Sequence, residues 1–89
     1  MQTIHLIIKG KVQGVFYRAS AKEAADVLQI KGWVKNTAAG DVEILASGDA
    51  NSIEKFIEWC RKGPRRAIVT DVIINTQTYT AFNDFKVER

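Results

Sequence analysis

The residues best placed to do chemistry lie in one stretch, Gly10-Lys-Val-Gln-Gly-Val-Phe-Tyr-Arg18. Gly10 and Gly14 flank a long polar side chain, Gln13, and the run closes on an arginine. A glycine-bearing turn that feeds a helix N-terminus aims several backbone N–H groups in one direction. That makes a nest for an anion, and the helix dipole reinforces it. Arg18 adds a planar fork able to grip two phosphate oxygens at once. The spacing implies a phosphate cradle, which could serve a nucleotide, a phosphoprotein, an RNA or a small anionic molecule.

Such a cradle needs a strand before it and a helix after it. Residues 3–9 alternate imperfectly, with Ile4, Leu6 and Ile8 on one face, and predict a strand. Ala21, Ala24, Ala25 and Leu28 fall at helical spacing and predict a helix over 19–28 whose small residues let it lie close to a sheet. Residues 30–36 read as a second strand. Residues 37–40 make a short turn with Gly40 at its positive-φ position, and residues 41–47 form a third strand, so the pair is an antiparallel hairpin. Asn51 with Glu54 three residues later has the form of a capping box. It opens a helix whose Ile53, Phe56, Ile57 and Cys60 make an apolar stripe, and Gly63-Pro64 end it. Residues 67–75 read as a long strand. Its apolar Val69 and Val72 are three apart, so a bulge near Thr70-Asp71 is expected. Residues 82–87 offer a short fifth edge strand.

The order β-α-β-β-α-β packs as an α+β, ferredoxin-like sandwich: a four-stranded antiparallel sheet with both helices on one face. In its split β-α-β unit the first two strands run parallel with the third between them. Their C-terminal ends then share one rim, which brings Arg18 and Asn36 together although eighteen positions separate them.

Eighty-nine residues make one domain, 1–89, which buries roughly 60–68% of the surface its unfolded chain exposes. Hydrophobic content of 46% and charged content of 26% are those of a globular protein, and a net charge of +3 suits a small anion as readily as nucleic acid. One cysteine allows no internal disulfide, and the N-terminus has no signal-like pattern, so a reducing cytoplasmic setting is expected. No apolar run approaches the roughly 20 residues of a membrane-spanning helix.

With these residues in hand, the chain resembles the acylphosphatase family. That family's first signature is matched by Gly10-Lys-Val-Gln-Gly-Val-Phe-Tyr-Arg18. Its second is matched by Gly32-Trp-Val-Lys-Asn36 with Gly40, Val42 and Gly48, and Gly63-Pro64, Ala67, Val69 and Val72 extend the likeness over nearly the whole chain. Tyr17 stands where Phe is commoner and Ala39 where an acidic residue is usual. Gln29 replaces a frequent glycine, at some cost in backbone strain. The resemblance implies metal-independent hydrolysis of the carboxyl–phosphate bond of a small acyl phosphate, with inorganic phosphate as product and inhibitor and no cofactor. Carried over residue by residue, Arg18 and the main-chain amides of Gly14, Val15, Phe16, Tyr17 and Arg18 bind the phosphoryl group. Asn36 orients the attacking water, and Thr37 supports the loop near Gly14. A monomer with no nucleic-acid or membrane partner is expected.

Other readings compete. Cys60 and Arg66 match the Cys-x5-Arg spacing of cysteine-dependent phosphatases, but such a loop runs from strand to helix, whereas this one leaves a helix. A non-catalytic ferredoxin-like module binding RNA or protein shares the element order, yet the first and third strands carry no aromatic residue for base stacking. Acylphosphatase-like domains also occur within larger proteins such as hydrogenase maturation factors. His5, the one histidine, sits mid-strand away from the glycine turn and reads as structural. Phe16 and Tyr17 read as loop packing, Trp33 and Trp59 as sheet and helix packing, and Lys9, Lys11 and Lys35 as solvated charges.

Overall fold

The computed structural model describes all residues from Met1 to Arg89. In chain order the elements are β1 (Gln2–Lys11), α1 (Tyr17–Val27), β2 (Lys31–Asn36), β3 (Val42–Gly48), α2 (Ala50–Lys62), β4 (Ile68–Gln77) and β5 (Phe85–Val87). The strands form one sheet in the order β4-β1-β3-β2-β5. The first four pair antiparallel, and β5 runs parallel to β2, which makes the sheet mixed.

Alternation decides which face is covered. Ile4, Leu6 and Ile8 of β1, Val34 of β2 and Val42, Ile44 and Ala46 of β3 are buried, with Ala21 and Ala25 of α1 and Ile53, Phe56 and Cys60 of α2. The small residues of α1 let its axis approach the sheet, and Phe56 of α2 meets Phe85 of β5 edge-on at 5.9 Å. In β2, Gly32 has φ 143 and lies so close to the carbonyl of Leu45 that any Cβ would collide with it. That contact holds β2 tightly against β3 four residues before Asn36. In β4 the register against β1 shifts between Lys9 and Gly10, leaving Thr70 as an extra residue. Val69 and Val72 therefore both turn toward the core, as the parity change in the sequence requires.

Two helix starts differ from the sequence reading. The first helix begins two residues earlier, at Tyr17, because burial of the Tyr17 ring fixes the first turn and Phe16 takes a left-handed N-cap with no side-chain hydrogen bond. The cap of α2 is Asp49, not Asn51. Asp49 is extended at φ −74, ψ 163, and its carboxylate accepts from the Ser52 N–H at 2.8 Å. A carboxylate at that position satisfies an orphan donor and meets the positive helix end, which a neutral amide two residues later does less well. At the other end of α1, Gln29 is left-handed at φ 58. The bonds Ile30 N–H to Ala25 O, 2.8 Å, and Gln29 N–H to Asp26 O, 3.2 Å, close a Schellman motif there without its usual glycine.

Candidate active site

The Gly14–Arg18 loop leaves the C-terminal end of β1. Val12 and Val15, 1% and 4% exposed, pin it from below into the core. Between and beyond those pins the backbone turns left-handed twice, at Gly14 (φ 75) and Phe16 (φ 64). No heavy atom lies within 4 Å of where a Gly14 Cβ would sit, so the glycine is demanded by conformation rather than by crowding. At Phe16 the same conformation costs about 1–2 kcal/mol. The Phe16 ring is 72% exposed, so it does not pack the loop as the sequence reading had it. The Val15 side chain also points into the core rather than the cleft, so its main chain is what it offers an anion.

This backbone leaves donors free. The first bond of the helical ladder runs from the Ser20 N–H to Phe16 O at 3.1 Å, so the N–H groups of Tyr17, Arg18 and Ala19 precede the ladder. None of the 11 main-chain bonds outside the regular elements is donated by residues 12–19. The loop's amides are thus left without main-chain partners at the positive end of a helix.

Tyr17 is the anchor. Its ring is 1% exposed, tilts against Trp59 at 5.3 Å, and its hydroxyl donates to the Cys60 carbonyl at 2.8 Å. Burial pushes the phenol far above its usual range, so it remains a donor at every working pH. Arg18 follows in the first turn of α1. One guanidinium nitrogen donates to the Glu88 carbonyl at 3.0 Å, and no carboxylate pairs with it. Of the five N–H donors of an arginine, most remain for a ligand.

Asn36, the last residue of β2, shares a cleft of about 310 Å³ with Gly14, Phe16, Tyr17 and Arg18, with Val12 and Val87 adding apolar wall. Its amide oxygen is buried and accepts no hydrogen bond. Thr37 lies just beyond. Its hydroxyl accepts from the Asp41 N–H at 3.1 Å and closes the β2–β3 turn. Its carbonyl accepts from the Gln13 side chain at 2.9 Å, and the same Gln13 nitrogen reaches the Asp41 carbonyl at 2.8 Å. Gln13 therefore clamps the loop that holds Gly14 to the turn that follows Asn36.

Two features of the cleft escaped sequence reasoning. Gln13 was visible as a polar residue between glycines, but nothing nearby in sequence showed what it would bond. Val87 and Glu88 come from the far end of the chain. The only sequence signal for them was the short alternation around Phe85, which seeks the open edge of β2.

Other candidates fall elsewhere. His5 sits on the helix-free face of the sheet, 2.7 Å from Glu43. Cys60 is fully buried in α2, and burial pushes its thiol up to about 12, which leaves no thiolate for nucleophilic attack. No group of three His, Cys, Asp or Glu side chains is arranged to hold a metal ion. A larger groove of about 540 Å³ between the two helices, lined by Val27, Leu28, Trp59 and Pro64 with Ser20, Glu23 and Lys55, includes neither Arg18 nor Asn36. No helix is long and apolar enough to cross a membrane.

Comparison with known proteins shows the family and the fold. The acylphosphatase family model matches residues 4–87. An acylphosphatase of Methylococcus capsulatus is 43% identical over 90 residues, covering 100% of this chain and 98% of that one. The crystal structure of acylphosphatase from Bacillus subtilis superposes with a TM-score of 0.97 at 33% identity and 100% coverage of both chains. An acylphosphatase structure from Coxiella burnetii gives 0.94 at 42% identity, covering 98% of this chain and 92% of that one.

Proposed function

The chain belongs to the acylphosphatase family, and from that premise we propose that its cleft hydrolyses acyl phosphates with Arg18 and Asn36 as the catalytic residues. The observation that carries the assignment is the buried, unpartnered amide oxygen of Asn36 in the same cleft as Arg18 and the free amides of the loop. A donor-rich cradle binds the phosphoryl dianion. A lone acceptor beside it takes one hydrogen of a water and leaves that water's lone pair directed at phosphorus.

Bond making and breaking follow simply. The water oxygen bonds to phosphorus as the bond between phosphorus and the acyl oxygen breaks, and its electron pair leaves with the carboxylate. The water's proton passes to a phosphoryl oxygen, giving carboxylate and dihydrogen phosphate. A departing carboxylate is a weak base and needs no general acid. Loose phosphoryl transfer asks mainly for positioning and charge stabilisation. Arg18 and the amides of residues 14–18 supply the charge complement, Asn36 positions the water, and Thr37 holds the turn beneath it through its hydroxyl and carbonyl. This scheme uses no metal and no cofactor. Inorganic phosphate should inhibit by occupying the cradle. We further read the protein as a single-domain monomer of the cytoplasm, acting on small molecules and not on nucleic acid. Light scattering tests the monomer, and a titration with single-stranded RNA tests the exclusion of nucleic acid.

The decisive experiment is benzoyl phosphate hydrolysis. Arg18→Ala should nearly abolish turnover and weaken phosphate inhibition. Asn36→Ala should lower kcat by roughly two to three orders of magnitude with much less change in substrate binding, as for other amides that act in the transition state. Chelator should leave the rate unchanged. Full activity in either folded variant, or a metal requirement, would overturn the assignment.

A further inference from the structure

The net charge of +3 is unevenly spread. Residues 10–18 and 61–68 contain no Asp or Glu, yet they hold Lys11, Arg18, Arg61, Lys62, Arg65 and Arg66. None of these six is in an ion pair. Of the carboxylates around them, Asp41 is paired with Lys9 at 3.0 Å and Asp71 accepts from the Val72 N–H at 2.8 Å, while Glu58, one turn before Lys62 on α2, pairs with none of the six.

The fold delivers these two segments to one place. The basic run begins in the last turn of α2, crosses Gly63 and enters β4 at Ile68, which pairs with Lys11 at the end of β1. A Cβ at Gly63 would come within 3.0 Å of the Tyr17 ring, and the Tyr17 hydroxyl bonds Cys60 O at 2.8 Å. The residue just before Arg18 is thus packed against the basic loop. Neighbouring strands lie about 4.8 Å apart. The loop stands one strand to the β4 side of β1, while Asn36 stands on the opposite side, beyond β3.

That opposition matters for the reaction. Attacking and leaving oxygens lie roughly in line across phosphorus. With the water at Asn36, the acyl group projects away from β2 and toward the β4 side. We infer that Arg61, Lys62, Arg65 and Arg66 form an electrostatic second subsite that favours acyl phosphates whose acyl portion carries its own negative charge. The inference rests on the acyl-phosphate reading and adds to it a substrate class.

Taking a separation of about 10 Å, four charges acting on an acyl carboxylate and screened by the Debye length favour it about sevenfold at roughly 0.01 M ionic strength and about twofold at 0.15 M. A matched pair of substrates isolates this effect: benzoyl phosphate and 4-carboxybenzoyl phosphate, which differ by one remote charge. The ratio of their kcat/KM values should favour the carboxylated substrate by those factors in the wild type and fall as salt rises. In the variant with Arg61→Gln, Lys62→Gln, Arg65→Gln and Arg66→Gln, both substrates slow, the carboxylated one more, and the ratio should lose most of its salt dependence. All four side chains are exposed, and a thermal melt checks that the variant is folded. A wild-type ratio that ignores salt, or an unchanged ratio in the folded variant, would overturn the subsite while leaving the acyl-phosphate reading intact. Wild type that turns over neither substrate would overturn that reading, and the subsite with it.

Discussion

Replacing Gln13 with Met keeps the length of the side chain and removes both hydrogen bonds from its amide nitrogen, to Thr37 O at 2.9 Å and Asp41 O at 2.8 Å. Neither carbonyl is orphaned: Thr37 O still accepts from the Gly40 N–H at 3.2 Å, and Asp41 O from the Thr37 N–H at 2.9 Å. The stability loss is then that of two ordinary hydrogen bonds, about 2 kcal/mol in all. For a domain of this size that lowers Tm by roughly 8–16 °C. The larger effect should be on catalysis. The clamp is the only side-chain link between the loop bearing Gly14 and the turn after Asn36, and a misplacement of about 1 Å between reacting groups costs on the order of a hundredfold. We expect kcat for benzoyl phosphate to fall by about that factor, with a smaller change in KM. The mechanism makes a sharper claim for the double variant. Once Asn36→Ala has removed the water-positioning amide, the clamp has nothing left to align, so adding Gln13→Met should lower kcat by less than about threefold, a coupling typical of groups acting as a unit. Losses that simply multiply would show that Gln13 supports the fold alone and would refute the clamp.

Three other outcomes follow from the packing. Gln29→Gly relieves a left-handed non-glycine residue in the Schellman motif and should raise Tm by roughly 4–8 °C, about 1 kcal/mol, with activity unchanged in the same benzoyl phosphate assay. Cys60, buried with its thiol pushed up to about 12, should resist iodoacetamide at neutral pH in the native protein and react readily in denaturant. Rapid native alkylation that blocked turnover would revive a thiol mechanism. The Ser52 N–H bond holds the Asp49 carboxyl below its usual range. The ionised cap therefore stabilises the fold above the ordinary carboxylate pKa near 4, and that contribution is lost as pH falls through the depressed folded value. The Asp49→Asn variant lacks this acid limb, so its Tm difference from wild type should shrink as pH is lowered from 6 to 2.

What the sequence made legible follows from where its signals are local. Alternation in residues 3–9 and 41–47, the stripe Ile53, Phe56, Ile57 and Cys60, and the parity change at Thr70 each report a single element, and each appears in the structure. The shared rim of Arg18 and Asn36 was legible because the element order admits few sheet topologies. Asp49 was passed over for Asn51 because both are good caps, and only the end of β3 at Gly48 decides between them. Gln13 and Glu88 escaped for a different reason. Their partners lie 24 and 70 positions away, and no periodicity encodes a contact of that kind. The direction of β5 was equally hidden, since three residues pair as readily one way as the other until the core claims Phe85.

The bulge in β4 has a further consequence. This strand is a sheet edge ten residues long, with Ile68 and Ile73 exposed by 61% and 41% and no lysine along its length. An edge of that kind offers unpaired N–H and C=O groups to any other extended chain. The extra residue at Thr70 breaks the regular row near its start, and the exposed charge of Asp71 stands beside the break. Two molecules meeting along this edge cannot continue a regular ladder through residues 70 and 71, so neither presents a ten-residue template to the other. The residue that turns Val69 inward is also a guard against edge-to-edge aggregation.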